Sequence, residues 1–258
     1  MTSERIDTGS APHERELPVS ARNALRDERV AAIPRWYSPW AHLLVPSLAA
    51  VCAATYALLS LRDVRPWEWL AIPVTYLVSN ATEWWAHRDL LHRKSKIAPL
   101  LYERHVPVHH VVYVTDDMAM RSRNEWRLVL MPAYAIVLIL LSVVPIGAGL
   151  WLVGLPNVAV LFFATSTFFT VSYEWLHLAY HLPESSFVGR TWWVRVLRRH
   201  HAVHHDPALM RRWNFNVTVP LWDWVRGTIH KHAGDSLAAE AEASTKREAN
   251  DVGVGQRG

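Results

Sequence analysis

Four apolar runs separated by polar segments of unequal length organise the sequence. They cover residues 42–61 (HLLVPSLAAVCAATYALLSL), 67–86 (WEWLAIPVTYLVSNATEWWA), 128–146 (LVLMPAYAIVLILLSVVPI) and 150–171. A helix that crosses a bilayer needs about 20 mostly apolar residues. Each run therefore predicts a transmembrane helix, and together they predict an all-α integral membrane fold of about four spans. Pro46, Pro73, Pro132 and Pro156 fall inside the runs, where membrane helices tolerate proline better than soluble ones do. The second run is the most polar, with Thr75, Asn80, Thr82 and Glu83. Its carboxylates, Glu68 and Glu83, sit near its ends, where a charge costs least. Outside the runs the chain is polar. Residues 1–35 predict a mobile arm, residues 36–232 a membrane-embedded domain with a helical cap, and residues 233–258, poor in large apolar side chains, a disordered tail. The first forty residues hold no apolar stretch of the kind a signal peptide needs.

Charge gives the spans a direction. Lys and Arg number 6 before the first run, 8 between the second and third, and 11 after the fourth, against 2 and none in the two short connections. Positive loops stay cytoplasmic, so both termini and the long middle loop are expected on the cytoplasmic side. Many of the 14 tryptophans flank the runs, and interface anchoring accounts for them. The single cysteine, Cys52, lies in the first run and reads as an unpaired core thiol.

Histidine changes the picture. Thirteen of the 15 fall in the middle loop or after the fourth run, all on the one predicted face. They gather in four clusters: HRDLLH (residues 87–92), HVPVHH (105–110), HLAYH (177–181) and HHAVHH (200–205). At about 100° per helical residue, His177 and His181 share a face, and His201, His204 and His205 fall within an arc of about 100°. His105 and His109 are also four apart, with Pro107 between them. His87 and His92, five apart, would diverge by about 140° on an ideal helix and need a distorted helix end to converge. So many imidazoles near a bilayer would repel one another if protonated. Divalent metal holds such rings neutral and offsets their burial, and ten nitrogens suit two ions of five or six coordination. A closed zinc site would want four ligands, often cysteine. Carboxylate-bridged bundles want paired Glu-x-x-His motifs, of which only one, Glu174 to His177, occurs. An all-nitrogen iron pair open to dioxygen remains.

These clusters resemble those of the fatty acid hydroxylase superfamily, integral-membrane di-iron proteins that also include sterol desaturases and carotenoid hydroxylases. The resemblance runs over roughly residues 40–230. It rests on EWWAHRDLLH (83–92), HVPVHH (105–110), EWLHLAYH (174–181) and HHAVHH (200–205) with NFNVTVPLWDWVRGT (214–228). Carried over by position, it implies as metal ligands His87, His92, His105, His109, His110, His177, His181, His201, His204 and His205. One departure is that three residues precede the His109–His110 pair where many hydroxylases have two. Glu83, Asp89, Glu174 and Asp206 are expected to accept hydrogen bonds from the rings' other N–H groups. His200, His230 and His232 are left out of the set. The resemblance further implies two iron ions cycling between Fe2+ and Fe3+, dioxygen as co-substrate, a membrane lipid as substrate and hydroxylation at an unactivated C–H bond. A second hydrogen abstraction would give an alkene instead. Electrons are expected from a separate ferredoxin- or cytochrome-type protein, because no dinucleotide fingerprint is present. Arg121, Arg123, Arg211 and Arg212 serve either an anionic head group or plain membrane topology. The rivals are a desaturase, a sterol or carotenoid oxygenase with the same centre, and a non-enzymatic membrane metal-binding protein. Nucleic-acid binding is set aside, since topology already explains the basic residues.

Overall fold

The computed structural model describes residues 17–96 and 98–230 of the chain. Among them the regular structure is helical, and the one β-bridge pairs Val114 with Asp117. The helices are α1 (Val19–Ala31), α2 (Pro39–Leu58), α3 (Ala71–Ala86), α4 (Pro99–Arg104), α5 (Trp126–Val129), α6 (Ala133–Leu152), α7 (Pro156–Tyr180), α8 (Trp192–His204) and α9 (Leu221–Arg226).

Three of these, α2, α6 and α7, are long and apolar enough to cross a membrane. The second apolar run splits into a 3-10 turn, Pro66–Leu70, and the 16-residue α3. The polar residues of α3 make it less apolar than the other three, and some of them bond into the cap. Asn80 donates to the Val219 carbonyl at 2.8 Å and to the Thr218 hydroxyl at 3.1 Å, so its end is committed to the cap. Helix α7 is the central one: 56% of its apolar window is buried, against 17% for α2 and 11% for α6. It packs against α2, α3 and α6, then runs on unbroken to carry Glu174 and His177 beyond its apolar stretch. The exposed sides of α2 and α6 are apolar, as lipid-facing surfaces must be. Cys52 is on such a surface: it is exposed, not a core thiol.

The expected arm, residues 1–35, is also corrected in part, because α1 is a packed helix. Arg26 on it is 1% exposed. Its guanidinium donates to the Val112 carbonyl at 3.1 Å, pairs with Asp117 at 3.4 Å and Glu125 at 3.8 Å, and lies 5.1 Å from the Tyr113 ring centre. A charge this deep needs such partners. It buries a cation where an apolar stripe would normally sit, so hydrophobic patterning does not reveal it. Residues 1–16 and the expected tail, 233–258, lie outside the described residues.

Beyond the bundle, the loop after α4, the α8 helix and residues 213–230 fold over one end as a cap. Val112, Tyr113, Met120, Trp126 and Leu178 form one apolar cluster beneath α1. Tyr173, Ala179, Tyr180, Val194 and Val217 form another, joining α7 to α8 and the 214–218 segment.

Candidate metal centre

The backbone departs from the α-helix at the two places where histidine spacing demands it. Residues His87–Leu91 form a π turn closed by the His92 N–H on the His87 carbonyl at 3.1 Å. Residues His105–His110 form a second. Hydrogen bonding from i to i+5 puts residues five apart on one face, which aligns His87 with His92 and His105 with His110. The extra residue before His109–His110 is absorbed in the same way. The remaining rings need no such device: His177 and His181 end α7, and His201, His204 and His205 end α8.

The ten histidines sort into two groups of five. His87, His92, His105, His110 and His204 form one; His109, His177, His181, His201 and His205 form the other. Within each group the candidate ligand nitrogens all lie within 4.8 Å of one another, and all ten rings are buried. The groups abut: the His110 and His205 rings stack across the divide with centres 4.2 Å apart.

Hydrogen bonds settle which nitrogens face inward. The Nδ1 atoms of His204, His205, His181 and His109 lie 2.9, 2.6, 2.8 and 3.1 Å from the carbonyls of Trp213, Tyr113, Met118 and Leu128. His87 Nδ1 donates to the Phe215 carbonyl. A carbonyl only accepts, so each of these Nδ1 atoms carries the proton, and the neutral ring presents a bare Nε2 to the interior. Two such bare nitrogens, on His87 and His204, face each other at 3.0 Å. Their lone pairs repel unless a cation lies between them. In the second group, Nε2 of His181 is buried with no hydrogen-bond partner. Both observations fit a divalent ion held by each group.

The electrostatics agree. Burial holds the His87 ring down to about 4. Burial first, then repulsion from neighbouring rings, holds His92, His105, His110 and His201 well below the usual imidazole range. The rings stay neutral, which is the form that ligates.

The four carboxylates are not the acceptors expected for the rings. For five rings backbone carbonyls take that place, which corrects the sequence reading, while Nδ1 of His92, His110, His177 and His201 is buried without a partner. Glu83 accepts from the backbone N–H groups of Val217 and Thr218, the latter at 2.9 Å, and from the Thr218 hydroxyl at 2.6 Å. It therefore braces the segment whose Phe215 carbonyl holds His87. Glu174 accepts from the Met131 N–H at 3.2 Å, and its other oxygen is buried without a partner. Asp89 pairs with Arg88 at 2.6 Å and Arg93 at 3.1 Å near the surface. Asp206 caps its own turn through the Ala208 N–H at 2.8 Å.

Asp223 is the residue the sequence reading missed. Fully buried, it accepts from the N–H groups of Phe215 at 3.0 Å and Asn216 at 2.7 Å. Trp84 Nε1 at 3.1 Å and the Thr228 hydroxyl at 2.6 Å complete its shell. His200 lies 3.2 Å from it, outside both groups. The run LWDWVRGT thereby acquires a reason. Gly227 takes the left-handed φ of 65° that turns the chain back, and Thr228 closes on Asp223. The signal was present in the sequence as a lone Asp within the family-specific run.

Comparison with known proteins agrees with this arrangement. No curated protein matches the chain. A solved structure of full-length Scs7p, in which only the hydroxylase domain is visible, is similar in fold, with a TM-score of 0.51 at 22% identity. The match covers 75% of this chain and 67% of that one. The fatty acid hydroxylase family model matches residues 72–228, from α3 through Thr228, so all ten clustered histidines fall within it and the chain belongs to the fatty acid hydroxylase family.

Proposed function

We propose that the protein is a membrane-bound, dioxygen-dependent di-iron oxidoreductase that hydroxylates a lipid, a fatty acyl chain or a relative of one, at an unactivated C–H bond. The observation that carries this is the pair of adjoining groups, each with five imidazole nitrogens within 4.8 Å of one another. One iron is held by His87, His92, His105, His110 and His204, the other by His109, His177, His181, His201 and His205. All-nitrogen sites richer than the four ligands of structural zinc suit iron that must also meet dioxygen. A bound iron pair supplies the two-electron activation of dioxygen that an unactivated C–H bond requires. The electrons come from a separate ferredoxin- or cytochrome-type protein. The charge asymmetry of the loops supports a cytoplasmic location for both termini and the metal groups.

The chain's own residues position the reaction and keep it dry. A cavity of about 40 Å³ touches His105 of one group and His109 of the other. Its walls are Leu101, Leu128, Leu130, Met131 and Pro132, the last directly before α6. It has room for little more than a water-sized group, so a lipid carbon entering by this route must part its largely apolar wall. The ring-orienting carbonyls hold five of the ten imidazoles fixed meanwhile.

Lipid profiling of cells with and without the protein, grown under labelled dioxygen, tests the reading. One labelled oxygen in a lipid alcohol is the expected result. New double bonds without label would replace hydroxylation by desaturation. Purified protein without stoichiometric iron would remove the proposal.

A further inference from the structure

A lipid-sized feature lies on the opposite side of α3 from the metal groups. It is an apolar groove of about 680 Å³ between the outer stripe of α3 and the short α9. Val74, Val78, Ala81 and Trp85 recur along one helical face as its floor, and Trp222 forms the facing wall. No histidine lines it. The Trp84 indole stands edge-on to Phe215, with ring centres 5.6 Å apart, and Phe215 in turn lies against His204 at 5.6 Å. Two aromatic layers thus separate the groove from the metal groups, so its occupant is not placed for chemistry there.

The cap end of the groove is cationic. Arg88 and Arg226 both pack over the Trp84 ring, at 4.4 and 5.3 Å from its centre. Arg88 is partly neutralised by Asp89 at 2.6 Å. Arg226 is exposed and has no carboxylate partner among the described residues. Its neighbours Trp224 and Val225 are 72% and 51% exposed, the pattern of a segment lying at a membrane surface. An apolar trough ending at two guanidiniums over one indole is complementary to one kind of molecule. It needs an acyl chain for the trough and an anionic oxygen cluster for the paired forks.

We propose that this groove binds an acidic phospholipid of the surrounding bilayer, with its phosphate between Arg88 and Arg226 and one acyl chain along α3. Basic pockets beside membrane helices recognise anionic head groups in this way. The site requires only that α3 borders lipid, and it stands whether or not the metal groups turn over a substrate. Its effect follows from its attachments. Arg88 directly follows His87, and α9 carries Asp223, so a bound lipid ties together the two elements that orient the first histidine group.

Native mass spectrometry of the purified full chain tests this, with phosphatidylglycerol and phosphatidylcholine supplied in equal amounts. The wild type is expected to retain phosphatidylglycerol preferentially. Arg226→Gln should lower that preference about five-fold, the effect of one basic side chain at an anionic surface. Arg88→Gln should lower it less, because Asp89 already shares that charge. Ala81→Trp, which fills the trough and leaves both arginines, should reduce retention of either lipid. Arg199→Gln, an exposed cap arginine outside the groove, should change nothing. Equal retention of both lipids by the wild type, an unchanged preference in Arg226→Gln, or an equal loss in Arg199→Gln would overturn the site. Displacement of phosphatidylglycerol by oleate as readily as by itself would overturn the phospholipid as occupant.

Discussion

Replacing Asp223 with asparagine should loosen one metal group and spare the other. The carboxyl of Asp223 is ionised at neutral pH: burial pushes it up, but hydrogen bonds from His200, Thr228 and Asn216 outweigh this and hold it below the ordinary range. One oxygen, Oδ1, serves the Phe215 N–H, the Trp84 indole and the Thr228 hydroxyl; Oδ2 serves the Asn216 N–H and His200. An asparagine keeps its carbonyl on the side with three donors and turns its NH2 toward the Asn216 N–H. That leaves a buried backbone donor unpaired and weakens the charge-assisted bonds that remain, a loss of about 2–4 kcal/mol. For a chain of this size the thermal midpoint should fall by about 5–15 °C. Phe215 and Trp213 offer the carbonyls that orient His87 and His204, both of the first group, whereas Tyr113, Met118 and Leu128 serve the second. Losing an orienting partner typically costs about 10–100-fold in metal affinity. Iron per chain, measured by elemental analysis after chelator dialysis, should therefore drop from two toward one. Two irons retained with an unchanged midpoint would refute the reasoning, as would loss from the second group first.

Three further predictions follow from the same geometry. His204→Ala and His181→Ala should each remove one iron, from the first and second group respectively, and abolish turnover; full activity in either variant would exclude that ring from the site. Deleting Pro107 restores a two-residue gap before His109–His110 and converts i→i+5 into i→i+4 spacing, so both irons should be kept, while inserting an alanine there should cost the first group its ion; equal iron loss in both variants would argue against the π turn as the spacer. The metal-free protein should be most stable above pH 6.5 and weaken as the pH falls toward 4, because the unfolded chain takes up imidazole protons that buried rings such as His87 refuse; a melting midpoint that rose on acidification would contradict this.

Much of the site was legible because its chemistry is written in one residue type. The ten histidines chosen by spacing and resemblance are the ten that the structure gathers into two groups. The pairing of His87 with His92 was opaque only because an ideal helix was assumed, and a π turn has no clear sequence mark. The ring-orienting groups were not legible at all. They are main-chain carbonyls of Trp213, Phe215, Tyr113, Met118 and Leu128, and every residue carries a carbonyl, so the search for carboxylates pointed elsewhere. Helix α1 escaped for a related reason: it buries Arg22 and Arg26, and hydrophobic periodicity cannot report a helix whose inner face is cationic. The second run was read as one uniform helix, whereas its start is a 3-10 turn and its end is tied by polar bonds to residues 216–219.

The dispersal of the ligands along the chain dictates when the centre can be made. His204 meets His87 across 117 positions, and His177 meets His109 across 68. Ribosomes deliver the amino end first, so His87, His92, His105 and His110 emerge early and wait beside the bilayer for a fifth partner that arrives near the close of synthesis. On the proposed reading, completion of the metal pair is consequently a late event of biogenesis, and a product truncated before α8 would leave both groups short of ligands.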